Sequence, residues 1–326
     1  MTSSALSSDS SFARGPASRR GDRLFLGLTT GSGILVLVII VAIAVFLLQK
    51  AVPAVRADST SFLSTKLWQP DNDPSVFGIA ALAFGTLLSS LIALLVAGPI
   101  AIGIALYISE YAPRRLAKPV GYLVDLLAAV PSVVYGLWGL LFLVPHSEKF
   151  QQFLGDHLGF LPFFDLGKNG VVGRSVLLAS LVLSLMILPI VAAISREIFL
   201  QVPSAHREAA LALGATKLEM IRYAVLPYST SGVTGALMLG LGRALGETIA
   251  VALVLSLAPT TSLHIIDANI GGNTIAANIA AQYQAAEPLG QQALIASGLV
   301  LFVITFAVNG LARYVVARGG RRTSAA

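Results

Sequence analysis

The segment from Leu24 to Gln49 has the sequence LFLGLTTGSGILVLVIIVAIAVFLLQ and contains no charged residue. A helix needs about 20 apolar residues to cross the roughly 30 Å hydrocarbon core of a bilayer. Arg23 and Lys50 flank these 26 residues, and a cleaved signal peptide has an apolar stretch of only about 7–15 residues. The segment therefore predicts a membrane-spanning helix that is retained in the mature protein.

The composition extends this prediction from one segment to the whole chain. Of its 326 residues, 56% are hydrophobic and 12% are charged, whereas about 25% are charged in a typical soluble domain. This composition excludes a water-soluble globule, and it is the opposite of what intrinsic disorder requires. Because the chain has no cysteine, disulfides and Cys-ligated metal centres are also excluded. We expect an all-α integral membrane protein.

Six segments are long and apolar enough to cross the bilayer. These predicted spans are 24–49, a segment within 76–109, about 119–145, 175–195, about 232–257, and 291–312. The second is expected to kink at Gly98-Pro99, the third contains Asp125 and Pro131, and the fifth contains both Arg243 and Glu247. An even number of spans places both termini on the same side of the membrane.

Lysine and arginine are unequally distributed between alternate connecting segments. Segments 1–23, 109–118, 196–231 and 313–326 hold 15 of them, whereas 50–75, 146–174 and 258–290 hold 6. Cytoplasmic loops carry the excess of these residues, so we expect both termini in the cytoplasm. The prediction is one six-helix domain over residues 24–317, between polar cytoplasmic tails at 1–23 and 318–326.

The predicted cytoplasmic loop at 196–231 carries signals of local helical order. Ser204 is a candidate N-cap for a short helix, and Gly214 is a candidate stop. Thr216 and Glu219 have the spacing of a capping box for a second helix. That second helix is expected to end before Pro227, since proline breaks helical hydrogen bonding.

The same loop contains a specific motif. Glu208-Ala209-Ala210 is followed by Gly214 and then by Leu226-Pro227. This pattern resembles the EAA motif of ABC importer permeases, E-A-A-x3-G-x9-I-x-L-P, except that Ala224 occupies the isoleucine position. The resemblance implies a coupling helix that docks in a groove of a separate ATPase subunit. The implied coupling residues are Glu208, Ala209, Ala210, Gly214, Leu226 and Pro227.

Two other interpretations of the loop were considered. An amphipathic hairpin on the membrane surface would also contain two short helices, but it would not require the motif. A DNA-binding helix-turn-helix has a similar shape, yet the net charge of the loop is only about +1. Because nucleic-acid binding relies on many phosphate contacts, no nucleic-acid partner is expected.

Three further segments narrow the family. They are YISEYAP at 107–113, AVPSVVYGLWG at 129–139 and RALGETIAV at 243–251. Together they resemble phosphate-transport permeases of the PstC type, and the likeness extends from about residue 25 to 315. It implies the MetI-like fold of type I ABC importers in the cytoplasmic membrane of a prokaryote, where the permease imports inorganic phosphate.

The resemblance also implies partners. These are a homologous second permease subunit of the PstA type, two ATPase subunits of the PstB type, and an extracytoplasmic phosphate-binding protein of the PstS type. ATP and Mg would bind to the ATPase subunits, and this chain is expected to bind no cofactor. Consistent with that expectation, its sequence contains no G-x-x-x-x-G-K-[ST] phosphate-binding loop. We expect a transport subunit that is not an enzyme by itself.

Arg243, Glu247 and Asp125 are the candidate substrate-path residues. A charge at the bilayer centre costs about 2.5–3.5 kcal/mol, and such residues usually line an interior path. Arg243 lies 11 residues past Gly232, which places it about 16 Å along a helix. A guanidinium there suits a phosphate oxyanion. The i,i+4 spacing would place Arg243 and Glu247 on one helix face, so a purely structural ion pair is the alternative.

Two alternatives remain open at this point. Asp125, about six residues inside the third span, is either a gate or a cap that reaches towards the membrane surface. For the whole protein, a permease for sulfate or molybdate is possible, because fold does not determine substrate. An ion-coupled secondary transporter would need no ATPase, and the EAA-like loop argues against it.

Overall fold

A computed structural model describes residues 16–166, 170–256, 261, 263–268 and 272–323. Its helices are α1 (Pro16–Ala57), α2 (Ala80–Leu106), α3 (Arg114–Ala128), α4 (Ser132–Trp138), α5 (Val144–His146), α6 (Glu148–Leu158), α7 (Val176–Leu200), α8 (Ser204–Ala212), α9 (Lys217–Met220), α10 (Leu226–Leu245), α11 (Ile249–Val254), α12 (Ile275–Gln282) and α13 (Pro288–Thr323). Two short strands, β1 (Trp68–Gln69) and β2 (Val76–Phe77), pair antiparallel. The π-helical turns Tyr107–Tyr111, Gly139–Leu143 and Ile221–Val225 follow α2, α4 and α9.

The chain divides into two compact units, residues 1–49 and 50–326. In the described part of the first unit, almost every side chain from Gly21 to Gln49 is exposed. An apolar helix that exposes its whole circumference is suited to lipid or to another membrane helix. This segment thus has the properties predicted for the first span.

Within the described residues, five helices are long and apolar enough to cross a membrane. They are Gly21–Ala57, Ala80–Tyr111, Val176–Leu200, Lys217–Leu245 and Pro288–Tyr314. The bent pair Arg115–Ala128 and Ser132–His146 makes a sixth if it is counted as one span. The number of spans agrees with the prediction, but the third and fifth differ from it in form.

The third span is not a straight helix from 119 to 145. Its two halves are bent by 87°, and the backbone at Pro131 is extended. Proline lacks an N–H donor and disfavours helical geometry in the preceding residue. The hydroxyl of Tyr135 donates to the carbonyl of Leu127 at 3.0 Å, which also accepts from the N–H of Val130 at 3.3 Å, so α4 is bonded back to the last turn of α3. Asp125 lies in α3, before the bend, so its depth of about six residues inside the span stays a prediction.

The fifth span begins and ends earlier than predicted. One helical run extends from Lys217 to Leu245, so the helix does not end before Pro227. The π-helical turn Ile221–Val225 lies directly before Pro227, and such a wider turn accommodates local disruption of the hydrogen-bond ladder. The run then stops at Leu245, and a separate helix starts at Ile249.

The centre of the second unit is the packing of α2 against α7. Every fourth residue of α2 from Ser89 to Ala105 is small and buried, which lets the two helices approach closely. α10 also packs on α7: Gly240 of α10 lies against Val191, and Gly232 lies against Ile198. α10 therefore runs antiparallel to α7, and Arg243 lies beyond Gly240 along it.

The β1–β2 hairpin, α12 and the first turns of α13 form a second apolar cluster, which includes Phe62, Trp68 and Phe77. A series of hydrogen bonds between polar side chains crosses this cluster. The indole of Trp68 donates to Gln282 at 3.0 Å, and Gln282 donates to Asn278 at 2.8 Å. These bonds attach the hairpin to α12.

Candidate functional site

The predicted coupling helix is α8, and its start differs from the prediction. Pro203 is the N-cap residue, and its extended backbone directs the chain into the helix. Ser204 is the first helical residue, and no side chain caps the helix end. Ser204 is therefore not the N-cap. The fixed φ of proline supplies the turn into the helix without a hydroxyl cap.

The end of α8 is a Schellman motif. Gly214 has a φ of +85°, its N–H donates to Leu211 at 3.0 Å, and the N–H of Ala215 donates to Ala210 at 3.2 Å. These are the two bonds that define this helix ending, and glycine is preferred because the position is left-handed. The sequence prediction of Gly214 as the helix stop is confirmed.

The predicted capping box is also confirmed. The backbone N–H of Thr216 donates to the carboxylate of Glu219 at 2.8 Å, and the N–H of Glu219 donates back to the Thr216 hydroxyl at 3.4 Å. This reciprocal pair starts the long helical run at Lys217. The turn between α8 and the fifth span is thus determined by local hydrogen bonds on both sides.

α8 has two partly buried residues, Arg207 and Ala210, and a broad outer surface. Ala210 and Leu226, from opposite ends of the motif, both pack against the cluster that contains Phe199, Met220 and Val225. Glu208 and Ala209 are exposed. The outermost apolar residue is Leu213, which is 90% exposed. A single exposed leucine is normal on a protein surface, so the adjacent motif is what marks this face of α8 as a candidate docking surface.

Arg243 lies in the last turn of α10 and is exposed to a cavity of about 550 Å³. The cavity is lined by Ile190, Met238, Leu239, Gly242, Arg243, Asn309 and Arg313. Because Ile190 is near the middle of α7, Arg243 is at mid-membrane depth if α7 spans the bilayer. Arg313 supplies a second cation to the same cavity.

Tyr135 is a residue that the sequence reasoning missed. The positive charge of Arg243 acts on its phenol through space. Tyr135 belongs to the quoted YGLWG segment, whose resemblance to the family was the available signal. Asn309 and Arg313 were also missed, since nothing in the pattern of α13 points to Arg243. After the bend between α3 and α4, α4 packs against α11, the short helix that follows α10.

Glu247 is not on the same helix face as Arg243, and the predicted pairing is wrong. α10 ends at Leu245, and Glu247 lies in the break before α11. Its carboxylate accepts from the backbone N–H of Ala250 at 3.2 Å. Among the described residues Arg243 and Glu247 form no ion pair. A carboxylate at the start of a helix satisfies an N–H that has no partner within the helix.

Asp125 is separated from Arg243 and lines a different cavity. Its carboxylate is 3.2 Å from Arg196 at the end of α7, and Arg196 also contacts Glu197 at 2.7 Å. The Asp125 side chain is 45% exposed. Gly121 of α3 allows this contact, because a Cβ there would lie 2.3 Å from the guanidinium of Arg196. Asp125 therefore ties α3 to α7.

These features define the membrane subunit of an importer that works with a separate binding protein. Residues 97–320 match the family described as "Binding-protein-dependent transport system inner membrane component", and the chain belongs to this family. It is a multi-pass membrane component of a transport system and not an enzyme.

Two relatives have similar lengths. The "Phosphate transport system permease protein PstC 2" of Mycobacterium tuberculosis is 48% identical over 307 residues, which cover 93% of each chain. The "Phosphate transport system permease protein PstC" of Xylella fastidiosa is 39% identical over 326 residues and 99% of each chain. The predicted resemblance to PstC-type permeases is confirmed.

Solved structures show the same fold. A chain from a bacterial alginate ABC transporter, in complex with an alginate-bound periplasmic protein, superposes with a TM-score of 0.59 at 16% identity. The match covers 93% of this chain and 97% of that chain. The predicted all-α ABC permease fold is therefore confirmed.

Proposed function

We propose that this chain is the permease subunit of an ATP-driven importer that carries inorganic phosphate into the cell. The observation that carries the proposal is the identity of 48% and 39% to two PstC proteins over 93–99% of the chain. At that coverage, the matched region spans loops and membrane-embedded segments alike. The alginate transporter, at 16% identity, has no bearing on the substrate.

The proposal includes the partners of the importer. The chain pairs with a homologous PstA-type permease, and α8 docks on one of two PstB-type ATPase subunits, which bind ATP and Mg. A PstS-type binding protein delivers phosphate from outside. The exposed Leu213 and Glu208 and the rigid ending at Gly214 support the docking of α8. Closure of the ATPase dimer moves α8 and thereby the helices that it contacts.

Arg243 is the proposed phosphate contact on this subunit. It lies in a cavity with Arg313 and Asn309, so both charge and hydrogen-bond donors face the same space. An arginine can donate two parallel hydrogen bonds to a phosphate oxyanion. Glu247 does not neutralise it directly and acts by holding the start of α11. Asp125 has its proposed role at the cytoplasmic end, as a tie between α3 and α7.

The test is Arg243→Gln in a strain that lacks the native copy of this chain. We expect phosphate uptake to be lost while the assembled complex persists, because the cavity keeps its shape but loses its central cation. Arg56→Gln, an exposed arginine at the end of α1, is the matched control and should transport normally. Normal uptake by Arg243→Gln would remove Arg243 from the path.

The substrate is tested in the same strain. Deletion of the chain should abolish high-affinity phosphate uptake and leave sulfate and molybdate uptake unchanged. The opposite pattern would favour one of the other oxyanions while preserving the assignment to ABC permeases.

A further inference from the structure

Arg207 directly precedes the Glu208-Ala209-Ala210 motif, and its guanidinium is held entirely by groups outside α8. Its Nε and Nη2 atoms donate to Oε1 of Glu110 at 3.2 Å and 2.8 Å. Nη2 also donates to the carbonyl of Phe199 at 2.7 Å, and Nη1 donates to the carbonyl of Val202. One side chain thus connects α8 to the π-helical turn after α2 and to the end of α7.

The pair is shielded from solvent. The side chain of Glu110 is 6% exposed and that of Arg207 is 21% exposed. By contrast, in the Arg196–Glu197 pair at the end of α7 the glutamate is 57% exposed. An exposed pair contributes little because water and salt screen it. A shielded pair strongly resists the removal of either partner, since a buried charge is left without compensation.

α8 has few other contacts with the rest of the chain. Of its nine residues, only Arg207 and Ala210 are partly buried, and the other seven are exposed. Ala210 contributes only one methyl group to the cluster below it. The dispersion contacts of one methyl group provide little resistance when α8 moves away from that cluster. Charge-assisted hydrogen bonds are directional and resist separation. The backbone joins α8 directly to α7 and to the run that starts at Lys217, whereas its connection to the turn after α2 is made by the side chain of Arg207.

Glu110 connects α8 to the helices of the membrane core. It belongs to the π-helical turn Tyr107–Tyr111, which continues α2, and α2 packs along α7 and also contacts α10. A second contact reinforces the connection, since the ammonium of Lys217 lies 4.6 Å from the centre of the Tyr111 ring. Both ends of the α8 turn are thus tied to the same turn of α2.

We propose that the Arg207–Glu110 ion pair is the link that transmits movement of α8 to α2 and the helices packed on it. Arg207 and Glu110 are positioning residues in this role, and neither contacts phosphate or ATP. The inference rests on the proposed docking of α8 on an ATPase subunit. Glu110 lies 97 residues from Arg207 in sequence and is not part of the EAA-like motif. The inference gives it a role in coupling.

The experiment uses the complete importer in proteoliposomes, with uptake and ATP hydrolysis measured together. We expect Glu110→Gln to reduce the phosphate imported per ATP hydrolysed by about 5–150-fold, the usual range for coupling between two sites. A merely structural role would lower the amount of complex, so that uptake and hydrolysis fall in proportion. An unchanged ratio overturns the proposal. Glu197→Gln, which breaks the exposed pair on α7, is the control and should leave the ratio unaltered.

A second variant covers the case in which Glu110→Gln does not assemble. Arg207→Lys keeps the positive charge but loses the forked donor geometry, so it should assemble and show a reduced ratio. Failure of both variants to assemble contradicts the proposal, because it assigns the pair to coupling rather than to assembly.

Docking is tested separately. The chain has no cysteine, so Leu213→Cys provides a unique site for crosslinking α8 to the ATPase subunit. A crosslink that persists in the Glu110→Gln background, together with a lowered ratio, supports the link. If Leu213→Cys in the otherwise native chain gives no crosslink, the proposed docking of α8 on the ATPase subunit is wrong.

Discussion

At the scale of single residues, Glu247 shows how a charge within a span can have a role other than pairing. Its carboxylate accepts the N–H of Ala250 at the start of α11. The effect of a substitution at Glu247 therefore depends on whether the new side chain keeps a hydrogen-bond acceptor, and not on whether it keeps the charge. Glu247→Gln keeps an acceptor oxygen and should be tolerated, whereas Glu247→Ala should destabilise the complex by about 0.5–2 kcal/mol, as for a lost N-cap. Thermal unfolding of the purified complex measures the difference, and equal effects of both variants would contradict this role.

Asp125 gives a second prediction at this scale. Because its side chain is 45% exposed and Arg196 keeps Glu197 as a partner, Asp125→Asn should cost at most about 1 kcal/mol. Uptake should stay close to that of the native importer. If the variant assembles normally but does not transport, Asp125 has a role in gating that its contact with Arg196 does not account for.

At the scale of elements, two helix breaks interrupt the predicted third and fifth spans. One separates α3 from α4 at Pro131, and the other separates α10 from α11 at Gly246. Non-helical backbone at membrane depth is tolerated only where protein covers it or where it borders a cavity. The two breaks fall within two of the three segments that resemble PstC-type permeases, 129–139 and 243–251. Beyond the breaks, α4 packs against α11, a contact that the periodicity of two straight helices does not predict.

The C-terminal end of α8 gives a prediction at the scale of elements. A Cβ at Gly214 would meet nothing within 4 Å, so the cost of substitution comes from its φ of +85° alone. Gly214→Ala should cost about 1–2 kcal/mol in this left-handed position and shift the Schellman turn, which lowers association with the ATPase. Gly214→Asn is the matched control, since asparagine tolerates the conformation better. Co-purification of the ATPase measures the effect, and indistinguishable variants would show that the turn is not required.

At the scale of the whole molecule, the orientation in the membrane rests on the distribution of lysine and arginine. With 15 of these residues in one set of connecting segments and 6 in the other, the positive-inside rule places both termini in the cytoplasm. Reporter fusions after Lys66 should report the outside, and fusions after Lys118 and at the C-terminus should report the inside. A reversed pattern at any of these positions would overturn the order of the spans. Correct orientation also places α8 on the side where ATP is available.

The sequence was sufficient for the features that depend on composition or on neighbouring residues. Hydropathy gave the number of spans, because the cost of burying polar groups in lipid applies to each segment separately. The capping box at Thr216 and the stop at Gly214 were predictable, since their hydrogen bonds join residues only a few positions apart. The family followed from motifs that are contiguous or regularly spaced.

The features that required the folded chain all join distant residues. Glu110 meets Arg207 across 97 positions, and Asp125 meets Arg196 across 71. The i,i+4 spacing of Arg243 and Glu247 predicted a contact that the end of α10 removes. Periodicity assumes an unbroken helix, and whether a helix breaks depends on which neighbours can satisfy its free backbone groups. Those neighbours are determined by tertiary packing, so the ion pairs that hold α3 and α8 became visible only in the structure.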